Sequence, residues 1–400
     1  MTVQTGLATE IAFEAEAAFG VKPAAPAGRL LRRVSTSLHL AKTMLRSDEV
    51  RGDAQLAVCR EGLRRVEGEL RGELAPGAWD DFLAAGLRGA WQTGASFAAA
   101  PGAGVTADTA TRTFTRAAGS WLDDGFKTGD VVRWSGLSAG NDGRNLRVEA
   151  LTAVAMTVAE AVETVAAPEE GCACAVAGAK AMTGTAQPSF TIEQHYADAG
   201  FSQVFTGCRV ARLQLGLSPN GLATVAFTVA GRDMEIIEDA DAPFFAAPAA
   251  PGNVPPLAAV DGLLRLGGRD LGIVTGLDLR VDLNVSAEPV VGARDAAALC
   301  YGRTEIGGTV TAFLEDAALL AAFAAGEEAA LHALLAAPGA EPRDFVALHL
   351  PRLVFTGGEV LDRGQEGMPV RLPFQALLRT DGGPGTAWDK AAMVVQRGGE

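Results

Sequence analysis

The feature that most constrains this chain is a two-residue alternation of apolar and ionic side chains. In the stretch LRRVEGELRGEL, Val66, Leu70 and Leu74 fall on one side of an extended chain, with Gly68 and Gly72 between them. The ionic residues on the other side are Arg65, Glu67, Glu69, Arg71 and Glu73. Because successive side chains of a strand point to opposite faces, this segment is predicted to be a strand with one buried face.

The same alternation recurs along the chain. Residues 277–286, 211–218 and 224–229 also alternate, and the turn SPNG joins the last two segments. Helical periodicity is rarer: it appears over about residues 76–91 and in EDAALLAAFAAGEEAALHALLAA, which predicts a helix or a helix pair. The chain is therefore predicted to be mainly β with a few helices.

The order of these elements repeats. A strand, a long loop, a second strand, a helix and two further strands occur around Gly62 and again around Gly302, an offset of 240 by subtraction. The residues that align without gaps are Gly62, Val66, Gly68, Leu70 and Leu74 with Gly302, Ile306, Gly308, Val310 and Leu314. Since alternation alone matches some strands by chance, the order of the elements carries more weight than the identities.

A different pattern interrupts the first copy. Residues 111–158 are a run of short strands with Gly and Asn-Asp-Gly turns, which predicts a small β-barrel or Ig-like β-sandwich. The predicted organisation is a first domain formed by residues 1–98 and 184–240, an inserted domain at 99–183, a Pro/Ala-rich linker at 241–256 and a second domain at 257–400.

Composition excludes several functions. The formal net charge is −14 and basic residues form no runs, so tight binding to a phosphate backbone is not expected. The N-terminal residues lack the basic start and apolar core of a signal peptide, and no apolar run has membrane-spanning length. Five cysteines in 400 residues argue against a disulfide scaffold, which favours folding in a reducing cytoplasm.

No catalytic or metal-binding pattern has the context that it needs. Gly136-Leu-Ser138-Ala-Gly140 has the spelling of a nucleophile elbow, but another strand rather than a helix follows it. Cys172 and Cys174 are too close together for the usual zinc knuckle, and the four histidines are scattered. We therefore predict that the chain is not an enzyme and binds no metal or cofactor.

Three segments carry a resemblance to a known family. The block SDEVRGDAQLAVCREGLRRVEGELRGELAPGAWDDFLAAGLRGAW resembles the N-terminal half of siphophage tail tube proteins. The block FTIEQHYADAGFSQVFTGCRVARLQLGLSPNGLATVAFTVAGRDM is similar to the strand pair that follows in that family, and GSWLDDGFKTGDVVRWSGL resembles a decoration module found in the same proteins. Residues 257–400 match the family only through the internal repeat.

The resemblance implies stacked rings around a DNA-wide channel, with each tube domain giving four strands to a continuous barrel. Rings of this family are hexamers of single domains or trimers of duplicated ones. Two four-strand units per chain favour the trimeric, pseudo-hexameric arrangement with 24 strands. At about 4.8 Å between strands tilted by about 45°, these strands close a cylinder roughly 50 Å across, which leaves about 35–40 Å for a duplex.

The ionic faces of the strands are predicted to line this channel. The proposed channel-lining residues are Arg65, Glu67, Glu69, Arg71, Glu73, Arg212, Asp278, Arg280, Asp282, Glu305, Glu315 and Arg371. Five arginines against seven carboxylates leave −2 per chain, so a duplex is repelled weakly and slides. The alternative is that these residues form solvated outer faces, because alternation does not say which face is inner.

Long loops at 44–61 and 289–301 are predicted to join successive rings. The residues assigned to this role are Ser47, Asp48, Glu49, Arg51 and Asp53, so the adhesion-like tripeptide at 51–53 is taken as a chance spelling. The resemblance implies further copies of the chain, a tape measure protein in the lumen, and tail terminator and baseplate or distal tail proteins as partners.

It further implies that double-stranded DNA passes through without specific binding, for genome ejection from a virion assembled in the cytoplasm of the bacterial host. Two other functions stay open from the sequence. One is a baseplate or tail-terminal ring protein of the same fold, and the other is a surface β-protein that binds glycans or cells.

Overall fold

The computed structural model describes residues 4–271, 274–362, 364–365 and 367–399. Strands dominate it, which confirms the prediction of a mainly β chain with a few helices. Up to the inserted segment the elements are β1 (Thr9–Ala15), β2 (Arg29–Leu30), β3 (Ser35–Thr36), β4 (His39–Arg46), β5 (Cys59–Glu73), α1 (Asp80–Leu87) and β6 (Gln92–Thr93). The inserted segment contains β7 (Ser96–Ala98), β8 (Val105–Asp108), β9 (Thr113–Arg116), β10 (Val131–Ser135), β11 (Leu146–Leu151), β12 (Ala155–Val158), β13 (Val165–Glu169) and β14 (Ala173–Val176).

The remaining elements complete both halves of the chain. Those before the linker are β15 (Ala179–Met182), β16 (Phe190–Tyr196), β17 (Phe201–Leu217), β18 (Thr224–Gly231) and β19 (Asp233–Glu238). Those after it are β20 (Gly262–Leu266), β21 (Arg269–Asp270), β22 (Val274–Asp282), β23 (Ser286–Glu288), β24 (Ala298–Cys300), β25 (Glu305–Phe313), α2 (Ala318–Ala325), β26 (Glu328–Ala336), β27 (Phe345–Phe355), β28 (Glu359–Val360), β29 (Pro369–Ala376) and β30 (Val394–Gly398). Two short 3₁₀ turns lie at Asp239–Asp241 and Ala259–Asp261.

A single antiparallel run of strands crosses both halves of the chain. Its order is β4, β5, β18, β17, β22, β25, β29 and then β27 with β28. Between β17 and β22 the pairing passes from the first half of the chain to the second. Among the described residues, β4 pairs only with β5, and β28 pairs only with β29, so the run has two open edges.

Strand pairing in the second half repeats the pairing in the first. Leu215 pairs with Val225, and Val360 pairs with Val370, so both members of the pair recur 145 residues later. The β16–β17 ladder shifts register between Phe190 and Ile192, and the β26–β27 ladder shifts between Ala329 and Leu331. A repeated register shift is a more specific match than alternation alone, because each shift fixes one position in the ladder.

One predicted helical segment is partly a strand. Helix α2 ends at Gly326, which has a positive φ of 66° that suits glycine, and Glu328–Ala336 then forms β26 instead of a second helix. The alanines and leucines of β26 favour a helix intrinsically. Pairing with β20 on one side and β27 on the other outweighs this propensity, and the strand is largely buried.

Helix α1 lies on the apolar face of the eight-strand run. It is shorter than predicted and ends at Arg88, which adopts the left-handed conformation. Just before it, Trp79 packs directly over Gly72, where a side chain would collide with the indole, and donates from Nε1 to the carbonyl oxygen of Glu73 at 3.1 Å. Phe82 stacks on Phe190 at 4.9 Å between ring centroids. These contacts fix the helix against the core.

The inserted segment folds as its own β module. Its eight strands pair in the order β13, β8, β9, β12, β11, β10, β14 and β7, so they run from Ser96 to Val176. Trp121, Trp134 and Phe114 form the centre of a separate buried cluster. Within the described part of the chain, no helix is long and apolar enough to cross a membrane.

Candidate functional site

Most of the ionic residues predicted to line a channel share one face of the eight-strand run. The register places Arg212 opposite Asp282 and Thr228, and Thr228 opposite Glu69. The residues on this polar face are Arg65, Glu67, Glu69, Arg71 and Glu73 on β5, Arg212 on β17, Asp278, Arg280 and Asp282 on β22, Glu305 on β25 and Arg371 on β29. Five arginines face six carboxylates there, a balance of one negative charge.

The opposite face of the same strands is buried. Leu70 and Phe227 have no exposed surface, and Leu215 is 4% exposed. Residues between the ionic positions thus pack into the core, as the alternation predicted. The polar side chains lie on the face away from α1, which packs against Leu213 through Gly86.

The polar face is concave. An open hollow of about 860 Å³ spans β5, β18, β17, β22 and β25. Arg71, Glu73, Gln214, Asp278 and Arg280 lie along it. A sheet that curves toward its polar side is the shape that a barrel segment with a polar interior requires.

Neighbouring charges on this face are paired with each other. Arg65 contacts Glu67 at 2.8 Å, and Arg71 contacts Glu69 at 2.5 Å. Such pairs are partly exposed, so each contributes little to stability. Their effect is to cancel charge locally, which leaves the face nearly neutral.

The best-connected carboxylate of the polar face is Asp282, which receives Arg212 at 2.5 Å across the β17–β22 junction and Arg280 from its own strand. Burial alone would raise the pKa of Asp282, but hydrogen bonds from the two guanidinium groups outweigh burial and hold the pKa below its ordinary value. This cluster lies where the two halves of the chain meet.

One predicted channel residue lies elsewhere. Glu315 lies two residues beyond Phe313, the last residue of β25, and lines a separate hollow with Leu319 and Phe355, beside α2. The alternation that placed it with the others therefore ends at Phe313.

The loop between β4 and β5 is the tip of a long hairpin. Its strands extend further than predicted, so the loop covers 47–58 and contains Ser47, Asp48 and Glu49. Arg51 donates to Asp53 from Nε at 3.2 Å and from Nη2 at 3.0 Å. The hydrogen bond from Arg51 lowers the pKa of Asp53. The two charged residues of the adhesion-like tripeptide thus neutralise each other instead of facing a partner separately.

Sequence reasoning missed the apolar character of this hairpin tip. Val50 is fully exposed, and Leu45, Leu56 and Val58 are also largely exposed. Exposed apolar residues grouped on a protruding element are typical of an interaction surface. In the sequence, polar residues separate these apolar residues, so no apolar run marks the group.

The second long loop, between β22 and β25, contains the small β23–β24 hairpin and exposes Val291. This loop contacts the base of the first hairpin, because the N–H of Arg64 donates to the carbonyl oxygen of Arg294 at 2.6 Å. Asp295 of the same loop forms an ion pair with Arg232. The hydrogen bond from Arg232 lowers the pKa of Asp295. Both loops therefore lie at the same end of the sheet.

The inserted module is fixed against the second half of the chain by buried polar contacts. Lys180, which follows the module, contacts Asp130 of the module at 2.9 Å and Asp389 of the second half at 3.0 Å. The side chain of Gln396 donates to the carbonyl oxygens of Val131 and Ala177, both at 2.8 Å. Strand β15 also pairs with β30. No local sequence pattern predicts these contacts, because Lys180 lies 50 residues from Asp130 and 209 residues from Asp389, and Gln396 lies more than 200 residues from both of its partners.

Two histidines beside this interface are buried. Burial lowers the pKa of His349 to about 4 and lowers that of His332 well below its ordinary value. His349 stacks on Trp388 at 5.9 Å, and Gly129 of the module lies directly over its ring. Both imidazoles are therefore neutral at pH 7.

Acid is expected to weaken the fold through His349. Its pKa is depressed in the folded chain, so the stability is complete above about pH 6.5 and falls as the unfolded chain takes up the proton, down to about pH 4. Between pH 7.5 and 5 this costs about 2 kcal/mol of unfolding free energy. Urea unfolding of the parent and of His349→Gln measures it: the variant is expected to lose about 2 kcal/mol less, and equal losses would contradict the assignment.

Among the described residues, no group of three or more His, Cys, Asp or Glu side chains is placed to hold a metal ion. All five cysteines are unpaired thiols. Burial raises the pKa values of Cys174 and Cys208 well above the ordinary value, so neither forms a thiolate readily.

Comparison with known proteins agrees with the fold. The model of a family described as phage tail tube protein matches residues 6–376, across both halves and the inserted module. No curated protein matches the chain significantly. Because the family match covers nearly the whole chain, this chain belongs to the phage tail tube protein family, the structural virion proteins that assemble into the tube of a bacteriophage tail.

Proposed function

We propose that this chain is the repeating subunit of the tail tube of a long-tailed phage, and that three copies close a ring of 24 strands through which the genome is delivered. The observation that carries the proposal is the run of eight antiparallel strands with open edges at β4 and β28. An open edge is a template for another strand, so copies can join edge to edge. Three copies of such a run give the 24 strands of a pseudo-hexameric ring.

The chain divides into two tube domains in this proposal. The first comprises residues 1–98 and 184–240, and the second comprises 257–400, with the linker at 241–256. The repeated register of the strand ladders supports the division. The inserted domain, predicted at 99–183, decorates the outside of the tube; its own sheet runs from Ser96 to Val176, and β15, which contains Lys180, belongs to the main sheet. Its docking on the second half of the chain, away from the polar face, supports that position.

The concave polar face lines the channel in this proposal. A strongly basic wall would hold DNA through counterion release, whereas a nearly neutral, slightly acidic wall lets the duplex slide. The paired charges of the face and its small negative balance support this role. Before ejection the same lumen would hold the tape measure protein.

The hairpin tips at one end of the sheet join successive rings. Their exposed apolar residues, Val50, Leu56 and Val291, support a contact with the next ring. The ends of the tube would meet the tail terminator and the baseplate or distal tail proteins, and assembly would occur in the host cytoplasm.

Negative-stain electron microscopy of the purified chain tests the proposed function. Long tubes with a central channel are expected. Isolated rings that never stack would indicate a baseplate or tail-terminal protein of the same fold, and monomers that bind cell envelopes would indicate a surface-binding protein. Either result would contradict the tube subunit.

A charge reversal tests the position of the polar face. Glu73 and Asp278 form no ion pair among the described residues, so Glu73→Lys with Asp278→Lys replaces two negative charges by two positive ones, a change of +4 in the net charge per chain, without breaking an ion pair. Tubes of this variant are expected to retain a short duplex at low salt and to release it at high salt. The bound duplex is expected to resist nuclease, because it lies inside the tube.

The matched control makes the same charge change on the inserted module. Asp123 and Glu169 are exposed there, so tubes of Asp123→Lys with Glu169→Lys are expected to bind the duplex outside, where nuclease digests it. Equal digestion in both variants would place the polar face on the outer wall.

A further inference from the structure

The junction between the two halves of the chain is a complete strand pairing. Counted in their order across the eight-strand run, β17 is the fourth strand of the first half and β22 is the first strand of the second half. These two strands pair with each other. In this internal seam Gln214 lies opposite Arg280, and Leu215 lies opposite Leu279. Both leucines are nearly fully buried.

The two open edges of the run are the fourth strand of the second half and the first strand of the first half, the counterparts of β17 and β22. Gln214 pairs with Ala226 in the first half, and Glu359 pairs with Arg371 at the repeated position in the second half. Glu359 therefore occupies the position of Gln214 on the fourth strand, which β27 and β28 form in the second half.

The first strands of the two halves correspond in the same way. Arg280 pairs with Gly307, and His39 pairs with Glu67, which is the counterpart of Gly307 at the offset of 240. His39 therefore occupies the position of Arg280. Each half of the internal seam thus has a counterpart at one of the two open edges.

We propose that β28 of one copy pairs antiparallel with β3 and β4 of the next copy in the register of the internal seam, with Glu359 directly opposite His39. Val360 then lies opposite Leu38, and Leu361 lies opposite Ser37. This inference rests on the proposed ring function and adds to it the residues that meet between copies.

The two edges are suited to each other. Val360 is 37% exposed, whereas Leu215, its counterpart in the internal seam, is 4% exposed, so a neighbouring strand would bury it. At the other edge the N–H and C=O of Leu38 have only weak side-chain partners, Thr36 and Gln194, at 3.3 Å each. Glu359 also brings an acid to the edge that carries His39 and Lys42.

The seam between copies is weaker than the internal one. Arg212 and Asp282 form an ion pair across the internal seam, but their counterparts, Gly357 and Ala41, carry no charge. Residues 356–358 also interrupt the fourth strand between β27 and β28. Weak closure keeps the separate chains soluble until several contacts form together.

Cysteine cross-linking can determine the register of β28 against β3 and β4 of the next copy. The N–H of Leu361 donates to Pro369, and that of Ser37 donates to Glu69, so the backbones at 359, 361, 37 and 39 point away from the new seam. Opposite residues at such positions have Cα atoms about 4.5 Å apart, within the range of a disulfide. The background variant is Cys59→Ser with Cys300→Ser, which removes the exposed thiols.

Two pairs are expected to cross-link in assembled tubes, His39→Cys with Glu359→Cys and Ser37→Cys with Leu361→Cys. The exchanged pairs, His39→Cys with Leu361→Cys and Ser37→Cys with Glu359→Cys, are two residues out of register and serve as matched controls. On a non-reducing denaturing gel the first two are expected to give at least tenfold more cross-linked chains than the controls. Their ladder is expected to end at the number of copies in a ring.

The possible outcomes distinguish a wrong strand register between copies from a failure of the proposed ring assembly. Tubes in which the exchanged pairs cross-link as well as the matched pairs would overturn the register while leaving the proposed function intact. Failure of the background variant and the parent chain to form tubes would overturn both. If one matched pair disturbs assembly, the other matched pair still decides, because both rest on the same register.

Discussion

Deleting residues 48–55 is expected to leave soluble, folded protomers and to abolish tubes in electron micrographs. The deletion shortens the β4–β5 hairpin tip, removes Val50 and leaves the strand pairs below Arg46 and Cys59 in place. Because the tip makes few contacts with its own chain, its loss affects the contact between rings rather than the fold. Size-exclusion chromatography and circular dichroism check that the protomer is intact.

Two further variants sharpen this test. Val50→Asp with Leu56→Asp keeps the length of the loop and is also expected to prevent stacking, because it places charges in an apolar contact. Val154→Asp changes an exposed apolar residue on the inserted module and is expected to leave tubes normal. Normal tubes from the deletion would exclude the hairpin tip as the joint between rings.

Replacing Lys180 by Met is expected to destabilise the chain by about 3–5 kcal/mol. The variant leaves the carboxylates of Asp130 and Asp389 buried without their shared cation. Burial raises the pKa of Asp130 already in the parent, which shows how costly its charge is in this place. Urea unfolding at pH 7.5 measures the loss.

A second substitution distinguishes the loss of the electrostatic attraction between Lys180 and its carboxylates from the loss of side-chain packing. Lys180→Met with Asp130→Asn removes one stranded carboxylate and is expected to recover part of the stability. As the exposed counterpart, Arg303→Met breaks the ion pair with Glu305 and is expected to cost less than about 1 kcal/mol. A loss for Lys180→Met as small as that for Arg303→Met would show that the cluster does not fix the module.

Much of the fold follows from local sequence patterns. The alternation in β5 and β22 predicted their buried and polar faces, because a strand with one buried face leaves a period-two signal. The SPNG turn also follows from local chemistry, since Asn220 adopts a positive φ of 55°. The repeat was visible as an order of elements, and the structure adds its register.

Other features depend on contacts that no local pattern encodes. β26 has the composition of a helix, and its pairing with β20 and β27 decides its conformation. Glu315 was grouped with the polar face because the alternation does not reveal where a strand ends. The ion pair between Lys180 and Asp389 joins residues 209 positions apart, so this contact emerges only from the tertiary structure.

We propose that the concave polar face forms the inner wall of a ring that three copies close. An electron cryomicroscopy reconstruction of assembled tubes would show both the number of chains in a ring and the side chains that face the channel. We expect three chains and 24 inner strands per ring, with Glu67, Glu69 and Arg280 facing the channel and the inserted module outside. A ring with six chains, or one with Glu67 and Glu69 on its outer wall, would contradict it.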